Sequence, residues 1–113
     1  MRLSRSASAA PLAAMRIFWS VKGRHVLVYD DDDGALAVMR ETLRVAGARV
    51  SVARSLDEVL RIVARDRVDV VATDAMLPRS RACALVIAIR TSANRHARQI
   101  PFVQLRCAAD VEP

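Results

Sequence analysis

The sequence predicts an α/β domain organised as a doubly wound parallel sheet. Three observations carry this expectation. From His25 onward, strand-like apolar runs alternate with segments of helical period in the order β-α-β-α-β-α-β, the signature of parallel strands joined by crossover helices. The first and third runs, HVLVY and VDVVATD, are almost continuously apolar, as in strands covered on both faces. At 113 residues and 53% hydrophobic content, the chain suits one domain with one core; right-handed crossovers then place helices on both faces of the sheet.

Each element follows from its residues. HVLVY (His25–Tyr29) is the first strand. GALAVMRETLRVAG sets Leu36, Met39, Leu43 and Ala46 at helical spacing and stops at Gly47. ARVSVA (Ala48–Ala53) alternates as a strand does. Ser55 and Glu58 form an S-x-x-E capping box that opens a second helix, with Val59, Leu60, Ile62 and Val63 as its apolar positions. VDVVATD (Val68–Asp74) is the third strand, ending in an aspartate and followed by Pro78. A third helix is expected from about Arg81 to Thr91, then a polar loop over Asn94–Gln99. IPFVQL (Ile100–Leu105) is the fourth strand, with Pro101 tolerated near its start.

The net charge of +6 raises nucleic acid as a partner, but the charge is unevenly placed. Residues 1–24 hold five basic residues (Arg2, Arg5, Arg16, Lys22, Arg24) and no acid, leaving thirteen Lys and Arg against twelve acids in the rest. The arginines there are scattered rather than striped, so specific nucleic-acid binding is not expected. Residues 1–24 read as a basic, disordered extension or linker; their Arg-, Ser- and Ala-rich start also has the composition of an organellar transit peptide. The longest apolar run, Ala82–Ile89, is less than half of the ~18–20 residues that span a membrane. Cys83 and Cys107 lack metal-ligand spacing and are expected as buried thiols, and His25 and His96 as surface or strand-edge histidines rather than ligands.

The chemistry is concentrated in YDDDDG. In a doubly wound sheet the ligand lies beyond the carboxyl ends of the strands, where strand order reverses. The first strand runs into Asp30 and Asp31, and the third ends in Asp74. With those strands adjacent, three carboxylates converge, and each raises the others' pKa unless a cation intervenes. Mg²⁺ suits a site of few carboxylates plus water. Beside such a cation a carboxylate can attack a phosphoryl group and form an aspartyl phosphate. Asp32 and Asp33 are expected at the start of the next helix, where negative charge is favourable, with Asp33 as a cap.

VLVYDDDDGALAVMRETLRVAGARVSVARS followed by VDVVATDAMLP resembles the receiver domain of two-component response regulators, especially receivers attached to hybrid histidine kinases. The resemblance spans roughly His25–Leu105, within a domain expected over residues 25–113. It implies a cytoplasmic phosphoprotein of a phosphorelay: Asp74 the phosphoacceptor, Asp30 and Asp31 the acidic pair, and the Met76 main-chain carbonyl a further ligand of Mg²⁺. It implies a histidine kinase or histidine phosphotransfer protein as donor, and no enzymatic activity beyond self-catalysed transfer and dephosphorylation.

The chain departs from that family in several places. Arg79 and Ala82 stand where a Gly-x-x-Gly turn is usual. Arg106 replaces the Thr or Ser that ends the fourth strand; it either contacts the phosphoryl group, pairs with the acidic pocket, or points to solvent. The family's lysine has no counterpart, because Lys22, the only lysine, precedes the first strand. The expected architecture is therefore a flavodoxin-like receiver fold lacking its last strand and helix, with the fourth strand an open apolar edge suited to dimerisation or a partner. A pseudo-receiver, an interaction module without phosphotransfer, is the alternative. The Asp31–Asp33 spacing also matches the Asp-x-Asp pattern of haloacid-dehalogenase-type phosphatases, but their downstream lysine is missing. Gly23, Gly34 and Gly47 form no nucleotide-binding loop.

Overall fold

The computed structural model describes residues 21–105. Its elements, in order, are β1 (His25–Tyr29), α1 (Asp33–Val45), β2 (Arg49–Ala53), α2 (Leu56–Arg65), β3 (Val70–Asp74), α3 (Arg79–Arg90), the short α4 (Arg95–Arg98) and β4 (Phe102–Leu105). The strands form a parallel sheet in the order β2-β1-β3-β4. Strand order reverses between β1 and β3, so the doubly wound expectation holds and the two aspartate-bearing strands are neighbours.

Alternation along β1 divides the core. Val26 and Val28 face α1 and pack with Leu36, Met39 and Leu43. Leu27 and Tyr29 face the other way, onto Val59 and Val63 of α2 and Leu85 and Ile89 of α3. All five β1 residues are buried, which explains a run with no polar alternation. Val21 is 2% exposed and belongs to the α1-side core, four positions before the expected start of the domain.

The local signals act largely as read. Gly47 ends the α1 turn at φ +95, where a side chain would be strained and its Cβ would come within 3.1 Å of Lys22. Ser55 caps α2 by accepting from the Glu58 N–H at 3.2 Å, while Glu58 reaches back to the Arg54 N–H at 2.6 Å. Three details differ. Leu60 is 38% exposed: only Val59 and Val63 of α2 are fully buried, so the apolar stripe is narrower than the sequence indicates. The expected polar loop contains α4, because Asn94 caps it by accepting from the Ala97 N–H at 3.1 Å, and Ala97 is buried. β4 begins at Phe102, and the Pro101 carbonyl just ahead of it accepts from the Val71 N–H at 3.0 Å. Arg90 ties these parts together: its guanidinium donates to the carbonyls of Arg98 and Ile100 and lies 4.8 Å from the centre of the Phe102 ring.

Candidate functional site

The register between β1 and β3 pairs Tyr29 with Thr73, so the next residues, Asp30 just past β1 and Asp74 at the end of β3, lie side by side at the sheet edge. Both are buried, at 5% and 6% exposure. Each carboxylate is oriented by an N–H two residues on. Asp30 Oδ1 accepts from the Asp32 amide at 3.0 Å, and Asp74 Oδ1 accepts from the Met76 amide at 2.9 Å. These short loops are Asx turns, in which the side chain fixes the backbone and the backbone fixes the side chain. The strands hold them from behind: the Asp30 N–H donates to the Ala53 carbonyl at 3.2 Å, and the Ala75 N–H to the Leu105 carbonyl at 2.6 Å.

Burial is the main force pushing the Asp30 carboxyl above its ordinary pKa; the Asp32 N–H opposes it, and the neighbouring Asp31 and Asp74 carboxylates add to it. Asp31 behaves oppositely. It is half-exposed and forms an ion pair with Arg81, whose guanidinium holds its carboxyl below the usual range. Arg81 lies in the first turn of α3 and also contacts the Tyr29 side chain, which with Asp31 favours its charged form.

The remaining aspartates of the run serve the helix. Asp32, in an extended conformation at φ −98, is the cap of α1 and accepts from the Ala35 N–H at 2.8 Å. Asp33 was the expected cap; the helix starts one residue earlier, placing Asp33 inside the first turn, where it pairs with Arg54 at 2.6 Å. Asp32 and Asp33 thus satisfy α1 and its surroundings, leaving Asp30 and Asp31 for the pocket.

The donors at this edge are hard oxygens of the kind Mg²⁺ prefers, and Asp30 and Asp74 are close enough for the charge of one to act on the other. The pair therefore fits a divalent cation in chemistry and charge. Among the described residues, however, no three His, Cys, Asp or Glu side chains are grouped to hold a metal ion. Asp31 neighbours Asp30 and is also engaged by Arg81. The third expected position, Met76, is 62% exposed and meets Asp74 through its N–H. Arg106 lies outside the described residues.

Arg81 is the residue that sequence reading missed. Its signal was present: Arg79 and Arg81 put two positive charges and no acid into the first turn of α3, where the helix dipole disfavours cations. The histidines are not part of the site. His25 is buried at the start of β1 with Nε2 2.8 Å from Ser51 Oγ, and His96 Nε2 donates to the Val68 carbonyl at 2.8 Å. Cys83, expected as a buried thiol, is exposed because it falls on the outer side of α3, and Cys107 lies outside the described residues. Cys83 lines a groove of about 550 Å³ with Leu77, Ala82, Val86, Ile87 and Gln104. Exposed apolar surface there lies on α3, with Ile87 at 61%, more than on β4, where only Gln104 is exposed. No helix among the described residues is long and apolar enough to cross a membrane.

The model of the response regulator receiver domain family matches residues 26–105, a span that runs from the second residue of β1 to the end of β4. Among solved structures, the chemotaxis response regulator CheY4 of Vibrio cholerae is similar, with 26% identity and a TM-score of 0.60. That match covers 72% of this chain and 66% of the other, so the likeness spans just under two thirds of the solved protein. No curated protein matches the chain.

Proposed function

The chain belongs to the response regulator receiver domain family, and on that premise we propose that it is a phosphoacceptor of two-component signalling, modified on Asp74. The observation that carries this reading is the placement of Asp74: buried at the end of β3, beside Asp30, with its carboxylate oriented by the Met76 N–H. In the reaction a carboxylate oxygen of Asp74 attacks the phosphorus of a phosphohistidine on a histidine kinase or histidine phosphotransfer protein. The P–N bond breaks, the donor imidazole takes up a proton, and the product is an acyl phosphate. The chain is then a signalling domain that turns over no small-molecule substrate, acting where its donor kinase does, in the cytoplasm.

Mg²⁺ bound by Asp30, Asp74, the Met76 carbonyl and Asp31 would neutralise charge on the transferring group. The chain's own contribution is orientation. The Asx turns hold both buried carboxylates against the backbone, so little reorganisation accompanies transfer. Removal of bulk water by burial strengthens each charge interaction at Asp74.

A second reading is favoured by one observation. Asp31 is paired with Arg81, and among the described residues no three His, Cys, Asp or Glu side chains are grouped to hold a metal ion, as in a pseudo-receiver that keeps the fold for interaction alone. Intact mass after incubation with Mg²⁺ and acetyl phosphate separates the two. A single phosphoryl adduct is expected on the parent and not on Asp74→Asn, with circular dichroism showing both folded. A folded parent without adduct selects the pseudo-receiver.

A further inference from the structure

Arg81 is misplaced by the rules of helix stability. The first turn of α3 carries the positive end of the helix dipole, yet it contains Arg79 and Arg81, no acid, and a Pro78 cap with no side-chain hydrogen bond. What Arg81 gains instead lies outside its helix. Its guanidinium pairs with Asp31, fifty positions earlier in the chain, and contacts buried Tyr29, the last residue of β1. It thereby links the first turn of α3 to the end of β1 and the loop after it, beside the acidic site.

That position is one where a cation is favourable. Asp30, Asp31 and Asp74 lie within a short span of one sheet edge, and three neighbouring carboxylates are mutually repulsive unless compensated. The guanidinium compensates Asp31 from outside the buried pair. Arg81 Nη1 donates to Asp31 Oδ2, so a divalent cation on the same carboxylate would meet a positive charge within a few ångströms, and each cation weakens the other's hold on Asp31.

We propose that Arg81 is a built-in counter-ion that competes electrostatically with a divalent cation for Asp31, so that metal binding at the phosphoacceptor site is opposed by the Arg81–Asp31 pair. This rests on the site being metal-binding, as the phosphoacceptor reading requires. The consequence is a weakened and salt-sensitive affinity for Mg²⁺, with the Arg81–Asp31 pair loosened once the ion is bound. The same residue sets how much free Mg²⁺ the protein needs before it can accept a phosphoryl group.

The test is Mg²⁺ titration by isothermal calorimetry on the full chain, comparing the parent with Arg81→Gln, Arg81→Lys, Asp31→Asn and Arg81→Gln combined with Asp31→Asn. Arg81→Gln is expected to bind Mg²⁺ about fivefold more tightly or better, in the range of an ordinary coupling between two sites. The gain should vanish when Asp31 is also replaced, because the cycle then contains no carboxylate to compete for. Arg81→Lys, which keeps the charge without the fork, should fall between. Unchanged or weaker binding in Arg81→Gln would overturn the proposal. So would a gain that persists in the double variant.

Failure of this inference is distinguishable from failure of the phosphoacceptor reading. An acyl phosphate on Asp74 with equal Mg²⁺ affinity in parent and Arg81→Gln removes the competition and keeps the receiver activity. Tighter Mg²⁺ binding in Arg81→Gln with no adduct on any variant keeps the competition and removes the activity.

Discussion

Two helices open onto the same edge of the sheet, and they begin in opposite ways. α1 follows β1 with Asp32 as a bonded cap and Asp33 in its first turn. α3 follows β3, the adjacent strand, with an unbonded Pro78 cap and arginines in its first turn. α1 is built for its own stability: cap and acid both complement the exposed N–H groups and the dipole. α3 gives up those contributions, and its Arg81 meets Asp31 instead. Where one of two equivalent positions breaks a local rule and the other obeys it, the exception is where function has displaced stability.

The largest stability effect that would sharpen this contrast is expected at the α1 cap. Asp32→Ala removes the bond to the Ala35 N–H while leaving the main-chain N–H that Asp30 uses. A loss of about 1 kcal/mol is expected for such a cap. In a domain of this size that is a fall in Tm of about 4–8 °C, read by thermal denaturation. A fall no larger than that of an exposed loop substitution would mean that α1 is held by packing alone, and the comparison would lose one side.

A smaller and pH-dependent effect is expected at Asp30. Its carboxyl is raised chiefly by burial and, to a lesser degree, by Asp31 and Asp74. The folded state therefore binds a proton more readily than the unfolded chain, and stability declines as pH rises from the ordinary aspartate value through the raised one. Asp30→Asn keeps the acceptor for the Asp32 N–H and removes the charge. In buffer with a chelator it should melt higher than the parent at pH 7, and the two should converge as pH falls to about 4, the unperturbed aspartate range. Equal melting points at both pH values would show that the pocket already neutralises the charge. Mg²⁺ should erase the difference at pH 7 by stabilising the parent alone.

Much of this contrast was readable from residue order, and the unread part has a physical cause. Strand order followed from alternating elements and from the doubly apolar β1, and the pairing of β1 with β3 then placed Asp30 beside Asp74. Those are rules of backbone pairing and periodicity, which act over a few residues and leave clear patterns. The partner of Asp31 was not legible, because Arg81 is fifty positions away and one of many scattered arginines. Only the fold's geometry selects it. Its first-turn position was a usable clue, but the expected start of the helix at about Arg81, two residues past its observed start, obscured how far inside the turn that arginine lies. The exposure of Cys83 was hidden for the same reason: ACALVIAI is apolar nearly all round, so its period does not say which face is covered.

The smallest effects bear most directly on α3. Arg79 and Arg81 share the first turn, but among the ion pairs of the described residues only Arg81 has an acidic partner. Arg79→Gln should therefore stabilise slightly, by about 0.3 kcal/mol, the low end for an exposed charge at a helix end, and the gain should shrink as salt rises. Arg81→Gln loses an exposed ion pair but relieves the same dipole penalty. Exposed pairs contribute little, so the two changes nearly cancel and Tm should stay within error of the parent. If Arg81→Gln instead lowers Tm as much as Asp32→Ala does, the Arg81–Asp31 pair is a structural clasp that replaces the missing cap. α3 would then be no exception, only a helix anchored at its start by a different bond. A neutral Arg81→Gln beside a mildly stabilising Arg79→Gln leaves Arg81 with no structural return for its position, and its role must then lie in the pocket.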